Sequence, residues 1–203
     1  EIESKWMAKK LNVVANQLAK ADFLGDTASG NANLNKYDGL LKLLLADATV
    51  IQGNTGGLLV APTVSNILAV LDAMWTVVPE DLEDDAPDSG RQLYLWLPRT
   101  YYKMYLLALK NANLFHYQSK DGDDMLYGTN VILKPTVGLA GTDKMVLTYA
   151  DNITIGLDGD AEEEQMEVWY SKDDRVHKSL IAFKRGVQFN NGNEIVLFQL
   201  GVS

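Results

Sequence analysis

The hydrophobic period of this chain changes along its length, and that change limits the folds open to it. Up to Asn111 the longer apolar patterns recur at three and four residues, the spacing of one helix face. Beyond Asn111 they recur at two, the spacing of one strand face. Helices early and strands late argue for an α+β fold over a wound parallel sheet, in which the two would alternate. No internal repeat points to a solenoid.

The first helix is read from Met7, Leu11, Val14, Leu18 and Ala21, with Lys9, Lys10, Asn16, Gln17 and Lys20 elsewhere around the wheel. No Gly or Pro interrupts Glu1 to Leu24, and Gly25-Asp26-Thr27-Ala28-Ser29-Gly30 is expected to stop the helix through a positive-φ glycine cap. The pattern is already running at Glu1, so the sequence is expected to be a fragment or a processed product. Leu40 to Leu45 reads as a short helix. Another follows Pro62, with Thr63 or Ser65 as N-cap and Ile67, Leu68, Leu71, Met74 and Trp75 as its buried face. Leu93 to Leu97 reads as a buried strand. Pro98 then opens a helix lined by Tyr101, Met104, Tyr105, Ala108 and Leu109. Later strands are expected at Asn130 to Leu133, Met145 to Tyr149, Ile153 to Leu157, Met166 to Tyr170, Lys178 to Phe189 and Glu194 to Leu200. Asn190-Asn191-Gly192-Asn193 predicts a hairpin turn between the last two.

Charge and residue types exclude several kinds of function. The 27 acidic and 18 basic side chains give a net charge of −9. A protein that grips phosphates shows a clustered basic face. Here the densest basic clusters, Lys9-Lys10 and Lys184-Arg185, are too short for that, so sequence-directed nucleic-acid binding is disfavoured. Cysteine is absent, which removes disulfides, thiolate metal sites and thiol nucleophiles. No apolar run reaches the roughly 18 residues of a membrane span. His116 and His177 stand far apart and outside any H-E-x-x-H pattern, so packing or surface roles are expected for both. Gly53-Asn54-Thr55-Gly56-Gly57 lacks the G-K-[ST] ending that sets a lysine on phosphates, and reads as a turn. Asp158 to Glu164 lacks the glycine and distal glutamate of a calcium loop, and with Pro79 to Gly90 reads as solvated acidic loop. No catalytic, metal or cofactor residue emerges, and no cofactor is expected.

The order of elements is more telling than any motif. A helix runs into Ala19-Lys20-Ala21-Asp22-Phe23-Leu24-Gly25-Asp26, a Gly/Asn loop follows, and the chain resumes at Asp38-Gly39-Leu40-Leu41. Trp96-Leu97-Pro98-Arg99-Thr100-Tyr101 leads to Leu106 through Asn111, then Leu126-Tyr127-Gly128-Thr129-Asn130-Val131-Ile132. Met145 to Leu157, Asp173-Asp174-Arg175, Ser179 to Gln188 and the closing turn complete the series. In this order and spacing the whole chain resembles the major capsid proteins of tailed bacteriophages with the Hong Kong 97-type fold. It departs from their pattern at Asn130, where proline is usual.

The resemblance implies an α+β subunit in two parts. The peripheral part would hold a long spine helix (residues 1–30) on a small antiparallel sheet, with returning strands at 150–185. The axial part would hold residues 31–149 in a central sheet flanked by helices, joined by the final strand within 186–203. The implied role is structural and non-enzymatic: an icosahedral phage or prophage shell of pentamers and hexamers around double-stranded DNA. Homo-oligomer contacts, scaffolding and portal proteins are the partners it implies, and the virion, after assembly in the host cytoplasm, the location. The family's N-terminal arm and extended loop would precede the spine helix and are expected to be missing. Two other readings compete: an encapsulin-like compartment shell of the same fold, and a ligand- or carbohydrate-binding module using Tyr101, Tyr102 and Tyr105.

Overall fold

The structure, a computed structural model, describes residues 2–53, 60–83, 90–114, 125–157, 165–173, 176–182 and 184–200. Its elements are α1 (Ile2–Leu24), α2 (Leu40–Ala46), β1 (Ile51–Gln52), α3 (Ile67–Trp75), β2 (Leu93–Pro98), α4 (Arg99–Asn111), β3 (Ile132–Thr136) and β4 (Lys144–Tyr149), followed by β5 (Ile153–Leu157), β6 (Gln165–Ser171), β7 (Val176–Ala182), β8 (Arg185–Phe189) and β9 (Val196–Gln199). The architecture is mixed α+β.

Five strands form a mixed sheet in the order β1-β9-β4-β2-β3. β2 runs antiparallel to β4 and parallel to β3, while β9 runs antiparallel to β4 and parallel to β1. The alternation in β2 decides how the sheet is covered. Leu93, Leu95 and Leu97 point to one face and are fully buried under α3 and α4, together with Met145, Leu147, Tyr149, Val196 and Phe198. Val146 and Leu197 point to the other face and pack with Leu40, Leu41 and Leu44 of α2. The central strands β4 and β9 are therefore covered on both faces, which is why they read as continuous apolar runs.

α4 buries Tyr101, Tyr105 and Ala108, with Met104 and Leu109 partly buried behind them, as its spacing predicts. Tyr101 donates to Asp143 at 2.8 Å, and burial with this bond raises its pKa to about 12. The Tyr105 hydroxyl accepts the Tyr127 N–H at 2.9 Å. Two of the three rings considered as a binding platform are thus core residues.

Five expectations need correction. Gly25 does not end α1 with a positive φ; such glycines are Gly90, Gly128 and Gly141 among the described residues. It serves close approach instead. The residue before α3 is Asn66, not Thr63 or Ser65, because the Thr63 carbonyl already accepts the Asn66 and Ile67 N–H groups in a preceding turn. Pro98 closes β2, opposite Thr136, and α4 starts one residue later. The stretch 178–189 is two strands, and β8 and β9 are no hairpin: β8 pairs with β5 in a separate ribbon, and β9 joins the central sheet. Period-two patterning cannot show which partner a strand takes.

Candidate functional site

None of the residues weighed above for chemistry assembles into a site among the described residues. His177 lies in β7, while His116 and Asp158 to Glu164 fall outside the described residues. Of the Gly53–Gly57 segment only Gly53 is described. Its N–H is committed to the Leu197 carbonyl at 2.9 Å, and a Cβ there would overlap the Phe198 ring, so packing requires the glycine. No cluster of His, Asp or Glu among the described residues could hold a metal, and no described helix is long and apolar enough to cross a membrane. What the fold does build is two polar locks.

The first lock anchors the C-terminal end of α1. Asp22 is 7% exposed and accepts two bonds from the Arg185 guanidinium of β8, at 2.8 and 2.7 Å, plus one from the Tyr37 hydroxyl at 2.6 Å. The Asp22 carboxylate in turn raises the Arg185 pKa. Burial and the same carboxylate push the Tyr37 hydroxyl well above the ordinary tyrosine range. Main chain then crosses main chain. A Cβ on Gly25 would overlap the Tyr37 carbonyl oxygen, and one on Gly39 would lie 2.5 Å from the Gly25 nitrogen. A Cβ on Gly138 would strike the Phe23 ring.

Beside this crossing, Lys42 donates to Asp26 and Asp38 at 2.7 Å each, and the Thr27 N–H and hydroxyl both donate to Asp38 at 2.8 Å. The Lys42 bond first, then those from Thr27, hold Asp38 down to about 2 from an ordinary 3.8; Asp26 is lowered mainly by Lys42 too. Both folded values lie below the unfolded ones, so as pH falls the unfolded chain binds these protons first. The stability they contribute is complete above pH ~4 and is lost as pH falls below it, for Asp38 through about 2. The stability difference between wild type and Lys42→Met is expected to be full at neutral pH and to close toward pH ~2. Urea titrations at a series of pH values would read this, and a pH-independent difference would contradict it.

The second lock ties the central sheet to the β5–β8 ribbon, where the chain crosses twice, at 150–152 and 190–195. Asn152, 2% exposed, donates to Thr148 Oγ1 and the Asn191 carbonyl at 3.1 and 2.8 Å. Its Oδ1 accepts the Asn190 and Asn191 N–H groups at 3.2 and 2.8 Å. Arg91 sits 3.8 Å over the Tyr149 ring and bonds Asp151 and Glu194, one from each crossing segment, at 2.9 and 2.7 Å. These two carboxylates raise the Arg91 pKa, and Arg91 lowers that of Asp151. Asn152→Ala strips four bonds from a buried position and is expected to cost about 2 kcal/mol. Urea unfolding measures it, and a loss within experimental error would mean the network adds nothing.

Neither lock is visible in the sequence. Asp22 and Arg185 stand 163 residues apart and read as ordinary surface charges. The one signal is the placement of Asp22 on the apolar side of the α1 wheel, four residues after Leu18.

No known family pattern matches the chain, and no curated protein matches it. Solved structures do. A chain of the satellite phage P4 procapsid including size determination (Sid) protein superposes with a TM-score of 0.58 at 13% identity, over 98% of this chain and 67% of that one. A chain of the virus-like particle from Pyrococcus furiosus gives a TM-score of 0.45 at 13% identity, over 78% of this chain and 59% of that one. Across nearly its whole length, the chain has a mixed α+β fold like that of the procapsid chain.

Proposed function

We propose that this chain is a structural subunit of an icosahedral phage or prophage capsid, with no catalytic role. It assembles into pentamers and hexamers that enclose double-stranded DNA, and it resides in the virion. The observation that carries this reading is the likeness to a procapsid chain over 98% of the residues. The surface agrees with the role. A net charge of −9 disfavours tight phosphate contacts, as suits a container that must release its genome.

In this reading the arrangement is of the Hong Kong 97 type. Residues 1–30 and 150–185 form the peripheral part, and residues 31–149 with 186–203 form the axial part around the capsomer axes. The sheets support this division except at its last boundary: all five central strands come from residues 51–149 and 196–199, while β5–β8 and β6–β7 pair apart, and because β8 runs to Phe189 the return to the axial part follows Phe189 and not residue 185. The partners are other copies of the subunit, with scaffolding and portal proteins during assembly. Expression of the complete gene with its neighbours, followed by electron microscopy, tests the proposal. Closed symmetric particles are expected; particles filled with protein cargo in place of DNA would turn the reading toward a compartment shell.

A further inference from the structure

Asn191-Gly192, inside the second lock, is the one Asn-Gly step in the sequence. In a free chain such a step is chemically labile, because glycine has no Cβ to shield its nitrogen from the asparagine side chain before it. The Gly192 nitrogen attacks the Asn191 side-chain carbon Cγ and gives up its proton to solvent. A new N–Cγ bond closes a cyclic imide, the Cγ–Nδ2 bond breaks, and ammonia leaves. Water then opens the ring at either carbonyl. The product is aspartate or, with the main chain rerouted through the side chain, isoaspartate. No oxidant or reductant is needed.

The fold holds the reacting atoms apart. Ring closure requires the Gly192 nitrogen to lie on the same side of Asn191 as its Cβ, and at a ψ of 111° it is turned away. Rotation about that bond would pull the Asn191 carbonyl from Asn152 Nδ2, 2.8 Å away, and from the Glu194 N–H. It would also move Gly192, which is buried against Thr49. The Asn191 N–H is fixed by Asn152 Oδ1 at 2.8 Å. The side chain is tied as well: Oδ1 accepts the Asn193 N–H at 3.2 Å, and Nδ2 donates to Glu194 Oε1 at 3.1 Å. Asn191 itself is exposed, so water reaches it, and geometry is what blocks the reaction.

We infer that Asn191 is a modification site gated by the second lock. It stays an asparagine while Asn152 grips the turn, and it becomes aspartate or isoaspartate when the turn opens. The change is one-way. Either product puts a carboxylate where Nδ2 donated to Glu194, and two like charges then face each other. Isoaspartate also adds a methylene to the main chain between the Asn191 N–H and carbonyl, the two groups that Asn152 holds. The turn no longer fits its partner, and the link from the β5–β8 ribbon to β9 stays loosened.

Peptide mapping by mass spectrometry during incubation at mildly alkaline pH tests this. Folded wild type is expected to convert at least about tenfold more slowly than the chain in urea, because only the open fraction reacts. Asn152→Ala should speed conversion by about tenfold or more by raising that fraction. Glu194→Gln, which keeps the shape of the turn and removes the charge held by Arg91, should speed it to a lesser degree and serves if Asn152→Ala does not fold. Gly39→Ala, which weakens the other lock, should stay near the wild-type rate while the protein remains folded. Conversion in folded wild type as fast as in urea would overturn the inference by removing the protection. Equal acceleration by Gly39→Ala and Asn152→Ala would overturn it by tying the reaction to global unfolding. The purified isoaspartyl chain should unfold at lower urea than the unmodified chain, and equal midpoints would refute the one-way loosening.

Discussion

Arg185→Met is expected to destabilise the protein by about 3 kcal/mol, because it leaves the Asp22 carboxylate buried without its cation. The Asp22 and Arg185 side chains are 10% and 19% exposed, so water can replace little of what is lost. Tyr37 would remain as donor to Asp22, which keeps the cost toward the lower end for a broken buried pair. Asp22→Leu alone should cost about as much, stranding the guanidinium and the Tyr37 hydroxyl. The double variant, with Asp22→Leu and Arg185→Met together, should lose less than the two single losses combined, because neither charge then remains. A double-mutant cycle by urea unfolding reads this directly. Additive losses would mean the pair is not coupled, and α1 would need another anchor.

Gly39→Ala should be as severe, at about 3 kcal/mol, and for a different reason. A new methyl group there would lie 2.5 Å from the Gly25 nitrogen, 2.7 Å from the Ala21 carbonyl oxygen and 2.8 Å from the Phe23 carbonyl carbon. All three are main-chain atoms, so no side chain can swing aside. The change would push the start of α2 away from the end of α1 and strain the 2.8 Å bond from the Gly39 N–H to the Gly25 carbonyl. Gly25→Ala should behave alike, through the Tyr37 carbonyl. Gly30 is the internal control: nothing lies within 4 Å of a Cβ there, so Gly30→Ala should be neutral or slightly stabilising. Midpoints of urea unfolding for the three variants test the contrast. Equal effects at Gly30 and Gly39 would contradict a tight crossing.

The same positions show where sequence reasoning succeeds and stops. Alternation makes β2 legible, because one of its faces is fully apolar and the other carries half-exposed Tyr94 and Trp96. The spacing in α4 makes its buried side legible, since the periodicity is local. Gly25 and Gly39 read as turn residues, although their need for glycine comes from contacts between segments 14 residues apart. Asn190 to Asn193 carries real turn chemistry, and a short 3₁₀ turn does form at Gly192–Glu194. What the turn connects is not written in it. A Cβ on Gly192 would overlap Thr49 Oγ1, so that glycine answers to a distant loop before β1, and β9 leaves the ribbon for the central sheet. Along α1, periodicity announces an apolar side without telling that only its last turns find the core.

The functional surfaces are harder to read than the fold. A catalytic site advertises itself through residue types at set spacings, whereas an assembly surface is made of ordinary Leu, Ile and Lys brought together by topology.

Whether this chain builds a shell is tested most directly by cryo-electron microscopy of the complete gene product, purified after expression with its neighbouring genes. Closed particles of icosahedral symmetry are expected, with subunit density that accommodates α1, the five-stranded sheet and the β5–β8 ribbon in their present arrangement. A monodisperse monomer under every condition tried, or particles whose density this fold does not fit, would contradict the shell role.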